Sequence, residues 1–190
     1  MSEVTKLIKG LKNIHFAPYK NGRFDTPIKV QFAKSLECEL SFESENEWAD
    51  DRIVDTSSEY NGGEGSVTVL GLTKEEHALL FGNTKVKGGV VVNSNDIAPQ
   101  GAFLFERGKK NSSHSRYYVV YACQCSPATI SAETVEDGKA SAAEDEINFT
   151  IGSLDDGNIY HFIDTDDSTV DDTQKSNWFT EVQFPIELEE

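Results

Sequence analysis

The sequence predicts a mainly β fold: a two-sheet β-sandwich or barrel-like structure flanked by one short α-helix at about 73–82. Three observations carry that reading. Apolar and polar residues alternate with period two in several separate segments, and β-branched and aromatic residues gather in short runs bounded by turn residues. Only one stretch has the caps and apolar spacing of a helix.

In chain order, residues 13–19 and 27–33 are the first strand candidates on their β-branched and aromatic content. The clearest strand follows. In Ser35-Leu36-Glu37-Cys38-Glu39-Leu40-Ser41-Phe42-Glu43 every second residue is apolar, which turns Glu37, Glu39 and Glu43 to a wet face and the apolar set to a core. Ser66-Val67-Thr68-Val69 repeats the alternation more loosely. The helix comes next, because Thr73-Lys74-Glu75-Glu76 is a capping box in which the Thr73 hydroxyl and the Glu76 carboxylate satisfy each other's free backbone N–H groups. Leu72 and His77 are placed to staple it, Ala78 to Phe81 give it an apolar side, and Gly82 suits a left-handed cap. Further strands are expected at 102–106, 116–125, 128–133, 146–151, 158–163 and 178–185. Of these, Glu146-Ile147-Asn148-Phe149-Thr150-Ile151 alternates cleanly and turns Glu146 outward.

With 190 residues and 37% apolar content, the chain can bury one core, and a single domain over 1–190 is expected. Long loops are expected at about 43–64, 83–101 and 164–176. The first holds eight acids and the single base Arg52, together with Trp48 and Tyr60, and aromatics of that size in a long excursion point to an interface. The net charge of −16 argues against sequence-independent binding to DNA or anionic lipid, since both need positive charge to release counterions. Its distribution is uneven. Residues 1–36 carry net +5 and the remainder −21, so the basic end either meets an acidic surface of another molecule or forms a solvated edge. No run approaches the length of a membrane helix, and Lys6, Lys9 and Lys12 are not followed by the apolar core of a signal peptide, so neither is expected.

Metal and catalytic chemistry find no foothold. Cys38, Cys123 and Cys125 are odd in number and lack zinc-ligand spacing, as do His15, His77, His114 and His161, so reduced thiols in a cytosol are expected. The acidic run from Asp164 to Asp172 has Thr169 and Lys175 where a calcium loop needs Gly and Glu, and reads as a solvated loop. Asp155-Asp156-Gly157-Asn158 reads as a turn. Gly62-Gly63-Glu64-Gly65-Ser66 matches neither a phosphate loop nor a nucleophile elbow. No enzyme, metal or cofactor is expected.

A family resemblance rests on the order of short patches. The opening Gly10-Leu11-Lys12-Asn13-Ile14-His15-Phe16-Ala17 is followed by Trp48-Ala49-Asp50-Asp51, then by Gly62 and Gly63 leading into an alternating strand, and then by Leu79-Leu80-Phe81-Gly82. Phe103-Leu104-Phe105-Glu106 and the strand from Tyr121 to Cys125 keep the order. Over residues 10 to 151 this resembles the major tail proteins of long-tailed, non-contractile bacteriophages.

The resemblance implies a single tail-tube domain made in the host bacterial cytoplasm and assembled in the virion. Copies would self-associate into rings, six-membered in the family, that stack into a tube through which DNA passes without being bound. Tape-measure and tail-terminator proteins would be the other partners, and no membrane would be involved. Trp48, Asp50, Asp51, Arg52 and Tyr60 then become candidate inter-subunit residues, and Glu37, Glu39, Glu43 and Glu146 candidate acids of the channel, where repelled phosphate slides freely. The same acidic face could instead be exterior or lie between subunits. A rival of another class is a virion-surface β-sandwich that binds carbohydrate or protein through exposed Trp48 and Trp178. An acidic hydrolase, the third reading, would need an essential carboxylate pair.

Overall fold

The computed structural model describes residues 7–127, 130 and 144–187. Eleven strands and two short helices follow one another among them: β1 (Ile8–Lys20), β2 (Arg23–Phe24), β3 (Ile28–Lys29), β4 (Ala33–Ala49), β5 (Arg52–Val69), α1 (Lys74–Phe81), β6 (Thr84–Val86), β7 (Gly89–Val91), β8 (Gln100–Lys109), β9 (Ser115–Cys125), β10 (Asp145–Ile151), β11 (Tyr160–Asp164) and α2 (Asp172–Asn177). The fold is mainly β. Nine strands form one antiparallel sheet along the path β2-β1-β8-β9-β10-β5-β4, with β3 on β1 and β11 on β9, while β6 and β7 make a separate hairpin.

Most of this follows the period-two pattern, but the layers are built differently from two equal sheets. The large sheet curls until β4, at one end of the path, comes against β1 near the other. Bulges drive the curl. Residues 10–11 and 13–14 of β1 each oppose a single residue of β8, with Gly10 at φ 72° and Asn13 at φ 51°, and a further bulge at β9 places Ala122 at φ 48°. Extra residues of this kind raise local twist and let one sheet wrap around its own core.

Alternation in β8 shows how the two faces are used. Phe103 and Phe105 point into the curl with Phe16, Val67, Ile147, Phe149 and Leu80, whereas Ala102 and Leu104 point the other way and meet Val119, Tyr121 and Trp178. Inside the curl Phe149 lies across Gly65, where an added Cβ would stand 2.3 Å from the ring. That close approach is what the Gly-rich start of the 66–69 strand provides. Helix α1 has the expected capping box, with Thr73 and Glu76 bonded reciprocally and Gly82 in the left-handed region. The buried Glu76 carboxylate also accepts from the Gln31 backbone N–H, which ties the helix to the linker ahead of β4.

Several expectations are corrected. Residues 43–64 are not a loop but the distal part of the β4–β5 hairpin. Within 83–101 the β6–β7 hairpin and the start of β8 are ordered strand. The 164–176 segment contains α2, capped by the Asp171 side chain accepting from the Gln174 N–H, so the helix at 74–81 is not alone. Of 27–33 only Ile28–Lys29 and Ala33, the first residue of β4, are strand, because Pro27 and the positive φ of Phe32 interrupt the ladder. Residues 178–185 form a turn and an irregular segment rather than a strand, since their aromatics pack face-down on the sheet instead of joining its ladder. The strand expected at 128–133 falls outside the described residues except for exposed Ile130.

The far face of the sheet is closed by a polar latch as well as by Trp178. Lys109, buried at the end of β8, lies 3.1 Å from Asp164 and 2.5 Å from Asp166, and Arg116 grips Asp164 through two nitrogens. Burial alone would lower the Lys109 pKa, and the hydrogen bonds with Asp166 and Asp164 outweigh it and raise it. Arg116 likewise holds the Asp164 carboxyl below its ordinary range.

Candidate functional site

Beyond the last residue paired with β10, strands β4 and β5 continue alone. Ile151 pairs with Gly63, and from Phe42↔Tyr60 to Ala49↔Arg52 the hairpin pairs, among the described residues, only with itself. Eight residues of β4 in that stretch give an arm of about 27 Å at the usual rise of an antiparallel strand. Its turn is Asp50-Asp51, at φ 52° and 58°, a two-residue connection with both residues left-handed that matches strand twist and that Asp tolerates. At the base, the Tyr60 hydroxyl donates to the Ile151 carbonyl at 2.9 Å and the Phe42 and Tyr60 rings meet at 5.4 Å. Those two contacts anchor the arm.

Register sorts the arm's side chains. Opposite residues share a face, so Glu43↔Glu59, Glu45↔Ser57 and Glu47↔Asp55 lie on one side, and Phe42↔Tyr60, Ser44↔Ser58, Asn46↔Thr56 and Trp48↔Ile53 on the other. One face is acidic and the other is neutral and partly aromatic. Phe42 is 57% exposed, Trp48 65% and Ile53 47%, so the apolar groups of the neutral face are in water.

The acidic face does not stop at the arm's base. On the same side of the sheet the rows Glu37-Ser66-Asn148, Glu39-Glu64-Thr150 and Ser35-Thr68-Glu146 cross β4, β5 and β10. The structure therefore brings Glu37, Glu39, Glu43 and Glu146 to one face and adds Glu45, Glu47, Asp55, Glu59 and Glu64. Among the described residues none of these nine carboxylates lies in an ion pair. Glu45 and Glu47 were legible in principle, because the alternation of acid and non-acid runs on through Glu43-Ser44-Glu45-Asn46-Glu47, whereas Asp55, Glu59 and Glu64 reach this face only through the β4–β5 register. Acid density there looks like a solvated loop, which hides the strand.

Trp48, Asp50, Asp51 and Arg52 sit together at the arm's tip and Tyr60 at its base, so the five do not form one cluster. Trp178 is wholly buried against Tyr117 and His161, which removes it as a surface binding aromatic. Cys123 and Cys125 point into the core, where burial pushes their thiols up, that of Cys125 to about 12. Among the described residues no group of three or more His, Cys, Asp or Glu could hold a metal, and no helix is long and apolar enough to cross a membrane. A groove of about 1060 Å³ is lined by Leu11 of β1 and Leu36 of β4 together with Phe105, Tyr118 and Phe149. No family model matches the chain, and no curated protein matches it.

Proposed function

We propose that the protein is a structural subunit of a bacteriophage tail tube, one copy among many in stacked homo-oligomeric rings around an acidic channel for DNA. The two-faced arm carries this reading. Its aromatic face needs cover, which a neighbouring copy supplies, while its other face carries the sheet's carboxylate stripe onward beyond Ser41 and the bulge between the Leu40 and Phe42 pairings. With the aromatic side laid on a neighbour, the arm runs along the tube wall and turns its acids to the lumen. A narrow, water-filled channel lined this way repels phosphate at every radius and holds no DNA in place.

The free edge of β4 supports assembly as well. Among the described residues β4 pairs only with β5 and leaves a row of unpaired backbone groups over seventeen residues, an edge that soluble monomers usually blunt. The runner-up reading, a virion-surface module that binds protein or carbohydrate, retains Trp48 and loses Trp178.

Negative-stain electron microscopy of concentrated protein, with light scattering at low and high salt, separates the two. Rings or tubes are expected. Monomer alone under all these conditions would overturn the tube reading.

A further inference from the structure

A second concave site lies far along the chain from the arm. Phe184 stacks on Tyr121 with the rings 6° from parallel and 5.8 Å apart, Phe24 tilts against both at 6.3 and 6.2 Å, and Tyr19 meets Phe24 edge-on at 4.9 Å. Tyr19, Phe24 and Phe184 line a pocket of about 550 Å³. Asp155, Asp156 and Glu181 line it too, with Arg23 the one base among the described residues of the lining.

The pieces are fixed before any ligand arrives. The Tyr121 hydroxyl donates to the Gln183 carbonyl at 2.5 Å, which sets the segment carrying Phe184. Asp156 accepts from the Asn158 backbone N–H at 3.0 Å and from its Nδ2 at 2.8 Å, so that carboxylate is oriented too. Burial raises the Tyr121 pKa, and the Asp156 charge raises it further. Glu181 accepts from Asn177 Nδ2, while Asp155 is exposed and in no ion pair among the described residues.

Two independent features thus select the same sign of charge. Aromatic faces attract cations through their quadrupole, and three carboxylates against one guanidinium leave the lining negative. Phe184 is 49% exposed and Tyr19 39%, so apolar ring surface stays wet at the pocket's mouth. A hydrated metal ion or a bare ammonium would leave that surface uncovered, whereas a cation jacketed in methyl groups covers it and sheds water cheaply. We propose that this pocket binds a quaternary or trimethylated ammonium group, with Phe24, Tyr19 and Phe184 against its methyls and Asp155 and Asp156 as counter-charge. The proposal stands apart from the tube reading and holds whether or not rings form.

Choline chloride titrated into the whole protein tests it by NMR, with sodium chloride at matched ionic strength and 3,3-dimethylbutanol, the neutral isostere, as controls. Saturable shifts of the Phe24, Asp155 and Phe184 amides are expected with choline and not with salt. Phe184→Leu should weaken choline binding about 5- to 30-fold, and Asp155→Asn, on an exposed turn that leaves the fold intact, should weaken it by a smaller factor. Binding of the alcohol as tight as choline would show a merely apolar pocket and overturn the proposal. So would an absence of saturation with choline, or unaltered binding in both variants.

Discussion

Glu39 and Glu64 stand directly opposite each other on the wet face of the β4–β5 pair, and no base lies in ion-pair contact with either among the described residues. Like charges across a ladder destabilise it, by roughly 0.2–1 kcal/mol. Glu64→Gln should therefore raise stability in urea by a few tenths of a kcal/mol at low salt, and the gain should shrink as salt screens the repulsion. A loss of stability would mean that the carboxylate pair contributes to the fold.

The same face gives the test of the channel. Glu37→Lys with Glu39→Lys should leave the fold intact, because both side chains are exposed, and assembled tubes of this variant should retain DNA at low salt and release it as salt rises. Filter binding reads the difference. Variant tubes that ignore DNA at low salt would place these two residues away from the lumen.

Trp48→Ser with Ile53→Ser removes the apolar tip of the arm's neutral face. Among the described residues the arm pairs only with itself there, so thermal unfolding should stay within about 0.5 kcal/mol of the parent, as for other surface changes. Assembly should fail or weaken at least tenfold in sedimentation, since aromatic anchors of an interface each contribute on the order of 2 kcal/mol. Unchanged assembly would exclude the arm tip as a contact.

Lys109→Met keeps volume and removes charge from the latch between β8 and β11. Asp164 retains Arg116, while Asp166 is left without its cation. Both carboxylates are partly wet, at 20% and 26%, so water offsets part of the loss that a fully buried pair would suffer. About 2 kcal/mol of destabilisation is expected, and Asp166→Asn in the Lys109→Met background should recover part of it. A cost under about 0.5 kcal/mol would show that Trp178, rather than the ion pairs, closes this side.

His161 predicts a pH dependence. Its Nδ1 is buried without a partner among the described residues, its ring packs 5.3 Å from Trp178, and burial lowers its pKa below 6.5. His15, lowered by burial and by the Lys29 charge against the opposing Asn13 carbonyl, acts in the same direction. Because the unfolded chain takes up these protons first, stability should begin to fall as pH drops below about 6.5 and keep falling until the folded-state values are passed. His161→Phe should flatten the slope of unfolding free energy between pH 7 and 5. An identical slope in the variant would assign the acid sensitivity elsewhere.

What the sequence by itself determined was local. Period two placed the first part of β4 and β10, because a strand with one buried face must repeat every second residue, β-branched and aromatic content placed β8 and β9, and the Thr73–Glu76 box with Gly82 fixed both ends of α1. It also gave the outward side of Glu37, Glu39 and Glu146, which needs nothing beyond the pleat. Tertiary structure decided the rest. That Glu146 joins Glu37 and Glu39 on one face depends on β10 pairing with β5, a partnership between segments about eighty residues apart that no local pattern encodes. Residues 43–64 became an arm because pairing with each other satisfied backbone groups that a loop would leave to water, although their acids and lack of a core face read as solvated. Trp178 went inside for the same kind of reason: only the assembled sheet offers the apolar face of Leu104, Val119 and Tyr121 that covers it.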